Sequence, residues 1–290
     1  MEPAREPASL ASCSNCGAIL RGPWCSQCGQ RASSQDPTWH DLVHDTTHEF
    51  LHLDGKIFFT IRRLFFEPGS LTAEHIRGRR ARYIGPLRLY LTMSVIFFAL
   101  AAVIPNPNPN PDSDPAPVSS AGANVPAKDS AVAGGDSETT LRARIGRGIR
   151  RARSQEEHFD ETLSHTFQRM LFVLVPAFAL LLKLGYRNGR HYPQFLYFAL
   201  HFHAAVFGFL ALTVPLQALT YEGPEKIAQA LVLAGSFAYL AAALKHVFGG
   251  TTLRTVLKAA ALSAAYILLL AGASGIVILV IFYRLGAPPA

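Results

Sequence analysis

The sequence predicts an all-α polytopic membrane protein of about five transmembrane helices, with a small zinc ribbon at its N-terminus. Three observations carry that expectation. Half of the 290 residues are hydrophobic and only 16% are charged, and the apolar ones gather between Leu87 and Tyr283 in runs longer than a soluble core helix needs. The charge collects in the segment before Leu87 and in 105–167. All four cysteines lie within residues 13–28, spaced as metal ligands.

Residues 1–12 read as a disordered tail, and 13–30 as the ribbon. Cys13-Ser-Asn-Cys16-Gly17 and Cys25-Ser-Gln-Cys28-Gly29 are two CxxCG knuckles. Each CxxC turn aims two thiolates at one point, and each glycine lets the backbone turn back towards the sulfurs. Two such turns make a closed tetrahedral S4 site, which suits structural zinc and leaves no position open for catalysis. So short a module has almost no core, so metal binding supplies most of its folding free energy. No apolar run precedes Cys13, so the N-terminus is expected in the cytosol, with reduced thiols and no disulfides.

Residues 37–86 form a cytosolic or interfacial helical region. Asp36-Pro37 starts a helix over about 37–52. On it His40, His44, His48 and His52 recur every fourth residue and make one stripe, with Asp54 just beyond. An i, i+4 histidine pair can chelate a metal, so these five residues are a candidate second site; the alternative is packing against the bundle or the headgroups. Lys56 to Phe66 is too short to span and reads as an interfacial helix, with Ile57, Phe58, Ile61, Leu64 and Phe65 facing lipid or the bundle. A short helix from about Leu71 to Arg77 leads into a basic collar that includes Arg77, Arg79, Arg80, Arg82 and Arg88. There Arg79, Arg80, Arg82 and Tyr83 are the candidate contacts to headgroups or an anionic ligand.

The first span is expected at 87–104. Residues 105–167, opening on PNPNPNP, cannot bury enough apolar surface to offset their ordering entropy and read as a disordered linker with a basic segment near its end. A four-helix membrane region follows at 168–283, with spans near 168–184, 195–219, 227–248 and 257–283, then a tail at 284–290. Five spans put the N-terminus in the cytosol and the C-terminus in the periplasm of a bacterial inner membrane. Basic short loops at Arg187/Arg190 and Lys245/Arg254/Lys258 support this, while the arginines of 142–153 oppose it.

The net charge of +7 sits beside apolar spans, so lipid phosphate is its partner and nucleic acid is not expected. The expected spans hold no Asp or Glu, which argues against an ion-coupled transporter. His201 and His203 are two apart and face opposite sides, so they read as helix–helix glue. Ala230, Ala234, Ala238 and Ala242 form a small-residue face for close helix approach, within the bundle or to a partner or second copy.

The CxxCG…CxxCGQR ribbon, His52-Leu53-Asp54, Thr60-x-x-x-Leu64, Pro68-Gly69 and Gly78-Arg79-Arg80-Ala81-Arg82-Tyr83-x-x-Pro86 follow in an order that resembles an uncharacterised bacterial family. Its members are zinc-ribbon-bearing integral membrane proteins known as a domain of unknown function. The resemblance covers about residues 13–100 and implies an architecture without an activity. The functional expectation is therefore a non-enzymatic anchoring or assembly protein with a cytosolic zinc-ribbon docking module. The alternative is a membrane enzyme or transporter using the His40–His52 helix, Asp54 and the basic collar at 77–88.

Overall fold

The computed structural model describes residues 12–31, 55–104, 142–149, 156–186, 189–219 and 224–285. The expected helix 37–52 with its histidine stripe, Asp54, most of the linker and the two tails lie outside the described residues. The described residues hold eight helices and no strand beyond two isolated bridges. They are α1 (Lys56–Phe66), α2 (Ser70–Ile76), α3 (Pro86–Val103), α4 (142–149), α5 (Glu156–Gly185), α6 (Tyr192–Leu219), α7 (Pro224–Phe248) and α8 (Thr252–Leu285).

Among the described residues four helices are long and apolar enough to cross a membrane, within α3, α6, α7 and α8. That is one fewer than expected. In α5 the described apolar stretch is Phe172–Gly185, shorter than the others, and at 1.5 Å per residue it reaches only roughly 21 Å of a hydrocarbon core of about 30 Å. The N-terminal half of α5 is rich in Glu, His and Asp. Pro176 and Pro215 lie inside their helices.

The chain divides into two compact units: Met1–Pro107 with Val175–Tyr266, and Asn108–Leu174 with Ile267–Ala290. In the first, α6 is the central element. Of its apolar window 78% is buried, against 33% for α3 and 28% for α7. Phe195, Tyr197, Phe198, Ala199 and Ala204 are fully covered. α3 packs along it through Tyr90, Phe97 and Phe98 against Phe207.

α1 contacts both α6 and α7. Thr60 and Leu64 are buried, and Tyr239 of α7 donates a hydrogen bond to the Leu64 carbonyl (2.8 Å). The Phe65 ring meets Phe209, above Gly208, where a side chain would collide with it. Of the apolar face expected on α1 towards lipid or the bundle, Phe58 is exposed, as are Phe59 and Phe66 beside it. The turn into α2 passes so close to α7 that a Cβ on Gly69 would lie 2.8 Å from the Ala243 carbonyl oxygen.

Within the second unit, α4 lies against the end of α8. Arg144 donates to the Tyr283 hydroxyl (2.8 Å) and stacks on its ring, and Gly148 meets the backbone of Phe282.

Candidate metal centre and the collar beneath it

The two knuckles fold alike. In each, the glycine amide donates to the carbonyl of the first cysteine (Gly17 to Cys13, 2.8 Å; Gly29 to Cys25, 2.9 Å). The first cysteine's amide donates onward to Ala18 or Gln30, both at 2.8 Å. Gly17 and Gly29 hold φ of 77° and 70°, the left-handed region that favours glycine. Antiparallel bridges Ser12–Ile19 and Trp24–Arg31 close each turn.

The four sulfurs lie within 4.8 Å of one another, with Cys13–Cys28 at 3.6 Å and Cys16–Cys25 at 3.5 Å. A tetrahedral ion with metal–sulfur bonds of about 2.3 Å sets its sulfurs roughly 3.8 Å apart, so the four residues fit a metal ion. Among the described residues this is the one group of three or more His, Cys, Asp and Glu side chains so arranged. The amides of Cys28 and Gln27 favour the Cys25 thiolate and lower its pKa to about 6. At Cys16 the Ala18 amide acts in the same direction, but hydrogen bonds shared with Cys25, Cys28 and Cys13, together with desolvation, outweigh it and raise the thiol to about 12.

The ribbon is seated on the collar. The Gln30 amide nitrogen donates to the Gly78 carbonyl (2.6 Å) and to Ser14 Oγ (3.1 Å), while its oxygen accepts from the amides of Arg80 (3.0 Å) and Ala81 (3.1 Å). Both donors and both lone pairs of one side chain are used. Ser14 adds a bond to the Gly78 carbonyl (3.0 Å). Gly78 sits at φ 78°, and a Cβ there would lie 3.0 Å from Ser14 Oγ. Sequence reasoning missed Gln30 and Ser14 because the collar they hold is some fifty residues away; the one local signal is that each is part of a ribbon knuckle.

Below the seat, the collar residues divide. Arg79 and Arg82 are exposed, and Arg79 and Arg77 lie beside Glu74. Tyr83, expected at the headgroup boundary, is buried: it stacks on Phe59, and Arg63 both donates to its hydroxyl and covers its ring. Arg80 is half-buried, its guanidinium over Tyr197 of α6. The amide of Ile84 donates to Thr60 Oγ1 (3.3 Å) and closes the collar against α1.

Two buried histidines meet here. His75 of α2 and His201 of α6 have ring centroids 5.1 Å apart. His75 Nδ1 donates to the Leu71 carbonyl (2.8 Å), and burial lowers its pKa to about 4, a little offset by that carbonyl and reinforced by Arg80. His203, on the opposite face of α6, is held by the Ala199 carbonyl and the Tyr266 hydroxyl (2.7 Å), as helix–helix glue would be. Ala230, Ala234, Ala238 and Ala242 all face outward on α7.

Residues 54–98, from the start of α1 through most of α3, match a family described as a protein of unknown function, DUF3667. No curated protein and no solved structure matches the chain.

Proposed function

We propose that this chain is an anchoring or assembly protein of a bacterial inner membrane whose zinc-loaded ribbon is a docking module fixed to the cytosolic face. The observation that carries the reading is the seat. Four hydrogen bonds hold Ser14 and Gln30 to the turn that leads into α3, while Ile19 and Trp24 on the ribbon stay 52% and 57% exposed. A module tethered only by its chain would present those side chains loosely. A seated one presents them at a set height above the membrane, which suits recognition by another protein. Zinc suits the four thiolates, and a closed S4 shell makes the ion structural.

The reading includes five crossings, with α5 among them. Its apolar stretch is covered on one side by Val175, Phe178, Ala179 and Leu182 and bare on the other at Phe172, Val173, Leu180 and Leu184. A helix apolar on its exposed face suits lipid. Five crossings also bring α4 and the end of α8 to one side, in keeping with the Arg144–Tyr283 contact. On the cytosolic side, Arg79 and Arg82 would meet lipid phosphate. The outward alanines of α7 give a partner helix or a second copy a face for close approach.

The test places a photo-crosslinking residue at position 24 of the full chain in native membranes. The reading expects a crosslinked protein band that disappears when Cys25→Ser removes the metal. A probe that crosslinks neither another protein nor a second copy would contradict it.

A further inference from the structure

The four cysteines leave a second group of nitrogen ligands unused. His75 and His201 come from different elements and are almost wholly buried, at 2% and 3% exposure. Each has its Nδ1 engaged, by the Leu71 carbonyl and by Thr72 Oγ1 (3.0 Å). That is the arrangement metal-binding imidazoles adopt: an outer partner at one nitrogen fixes the ring and leaves the other nitrogen as a lone pair. His201 Nε2 is buried and has no hydrogen-bond partner. An unsatisfied polar atom in a packed interior is costly and calls for an occupant.

The spacing of the rings agrees with a shared ion. Two imidazoles bound to one tetrahedral ion through bonds of about 2.0–2.1 Å set their ring centroids roughly 5 Å apart; the observed separation is 5.1 Å. The Leu71 carbonyl can only accept, so the His75 proton sits on Nδ1 and its Nε2 carries the lone pair. The surrounding rings, Tyr83 at 6.1 Å and Tyr197 at 5.9 Å from His75, exclude bulk water without competing as ligands.

We propose that His75 and His201 are the protein ligands of a second metal site beneath the collar, a nitrogen-ligated site for a borderline divalent transition ion of the Zn2+ or Co2+ class. With two protein ligands the ion keeps open positions, unlike the ribbon. The pair is thus the place among the described residues where a metal would bind an exchangeable ligand.

The test is a Co2+ titration of the purified, metal-stripped full chain, followed by its absorption spectrum. The first equivalent should give thiolate charge-transfer bands from the ribbon. A second should add d–d bands without further charge transfer, and should be lost in both His75→Ala and His201→Ala while the first is kept. Saturation after one equivalent, or a second that survives both substitutions, would overturn the proposal. Should either variant fail to fold, X-ray absorption at the cobalt edge of the doubly loaded wild type decides. A nitrogen shell at about 2.0–2.1 Å beside the sulfur shell is expected, and sulfur alone refutes the site.

Discussion

The collar between α2 and α3 is held from two sides by different physics. Above it, one glutamine beside the four-cysteine cluster grips the backbone of Gly78, Arg80 and Ala81 through directed hydrogen bonds. Below it, Tyr83 and Ile84 are buried beside α1, and α2 is packed on α6 and α7. The lower grip rests on buried contacts between helices and persists as long as the bundle does. The upper one is a set of polar bonds made by a segment whose four cysteines could hold a metal ion. The collar thus joins a segment held by polar bonds to one held by packing.

The comparison can be broken most completely from above. Cys25→Ser removes a buried ligand, and because the ribbon has almost no core, it should lose the ribbon's metal entirely and unfold residues 13–31 while leaving the helices intact. Metal analysis together with helical circular dichroism checks both halves. From below, Leu64→Ala deletes a side chain 1% exposed at the α1–α7 contact and should cost about 2–5 kcal/mol of bundle stability. Detergent unfolding should show that loss with ribbon metal unchanged.

Acid should act on the lower grip as well. In the absence of bound metal, His75 has a folded pKa of about 4 against 6.5 unfolded, so the unfolded chain takes up the proton first. Its contribution is complete above pH 6.5, falls as pH drops towards 4 and levels off below that. The slope is at most about 1.4 kcal/mol per pH unit. His75→Phe should flatten that part of the stability profile; an unchanged slope would mean another group carries it. The smallest effect is expected at the seam. Gly78→Ala forces a left-handed residue and crowds Ser14, at a cost of about 1–2 kcal/mol confined to the seat. Faster proteolysis after Arg79 or Arg80 would report it.

The same contrast separates what was legible in the sequence from what was not. The cysteine cluster was legible because its ligands lie close together in the chain and the knuckle geometry is local. The apolar spans of α3, α6, α7 and α8 were legible from composition, because lipid selects apolar residues whatever packs beside them. Hydropathy could not say which span is central: α6 is mostly covered, whereas the window of α8 is 6% buried. Nor could it bring His75 to His201 or Gln30 to Arg80, since both contacts join distant segments and depend on how α2 and the ribbon settle on the bundle. Tyr83 looked like an interfacial anchor from its position, yet Arg63 and Phe59 draw it inside. That outcome needs the register of α1, which Thr60 and Leu64 fix only once the helix is packed.

The central claim is that Gln30 seats a metal-folded ribbon on the collar, and amide hydrogen exchange in the full-length, metal-loaded protein tests it most directly. The Arg80 and Ala81 amides should exchange slowly in the wild type and fast in Gln30→Ala, with metal content and the protection of Gly17 and Gly29 unchanged. If Arg80 and Ala81 exchange equally in both proteins, the seat does not exist and the ribbon is only tethered.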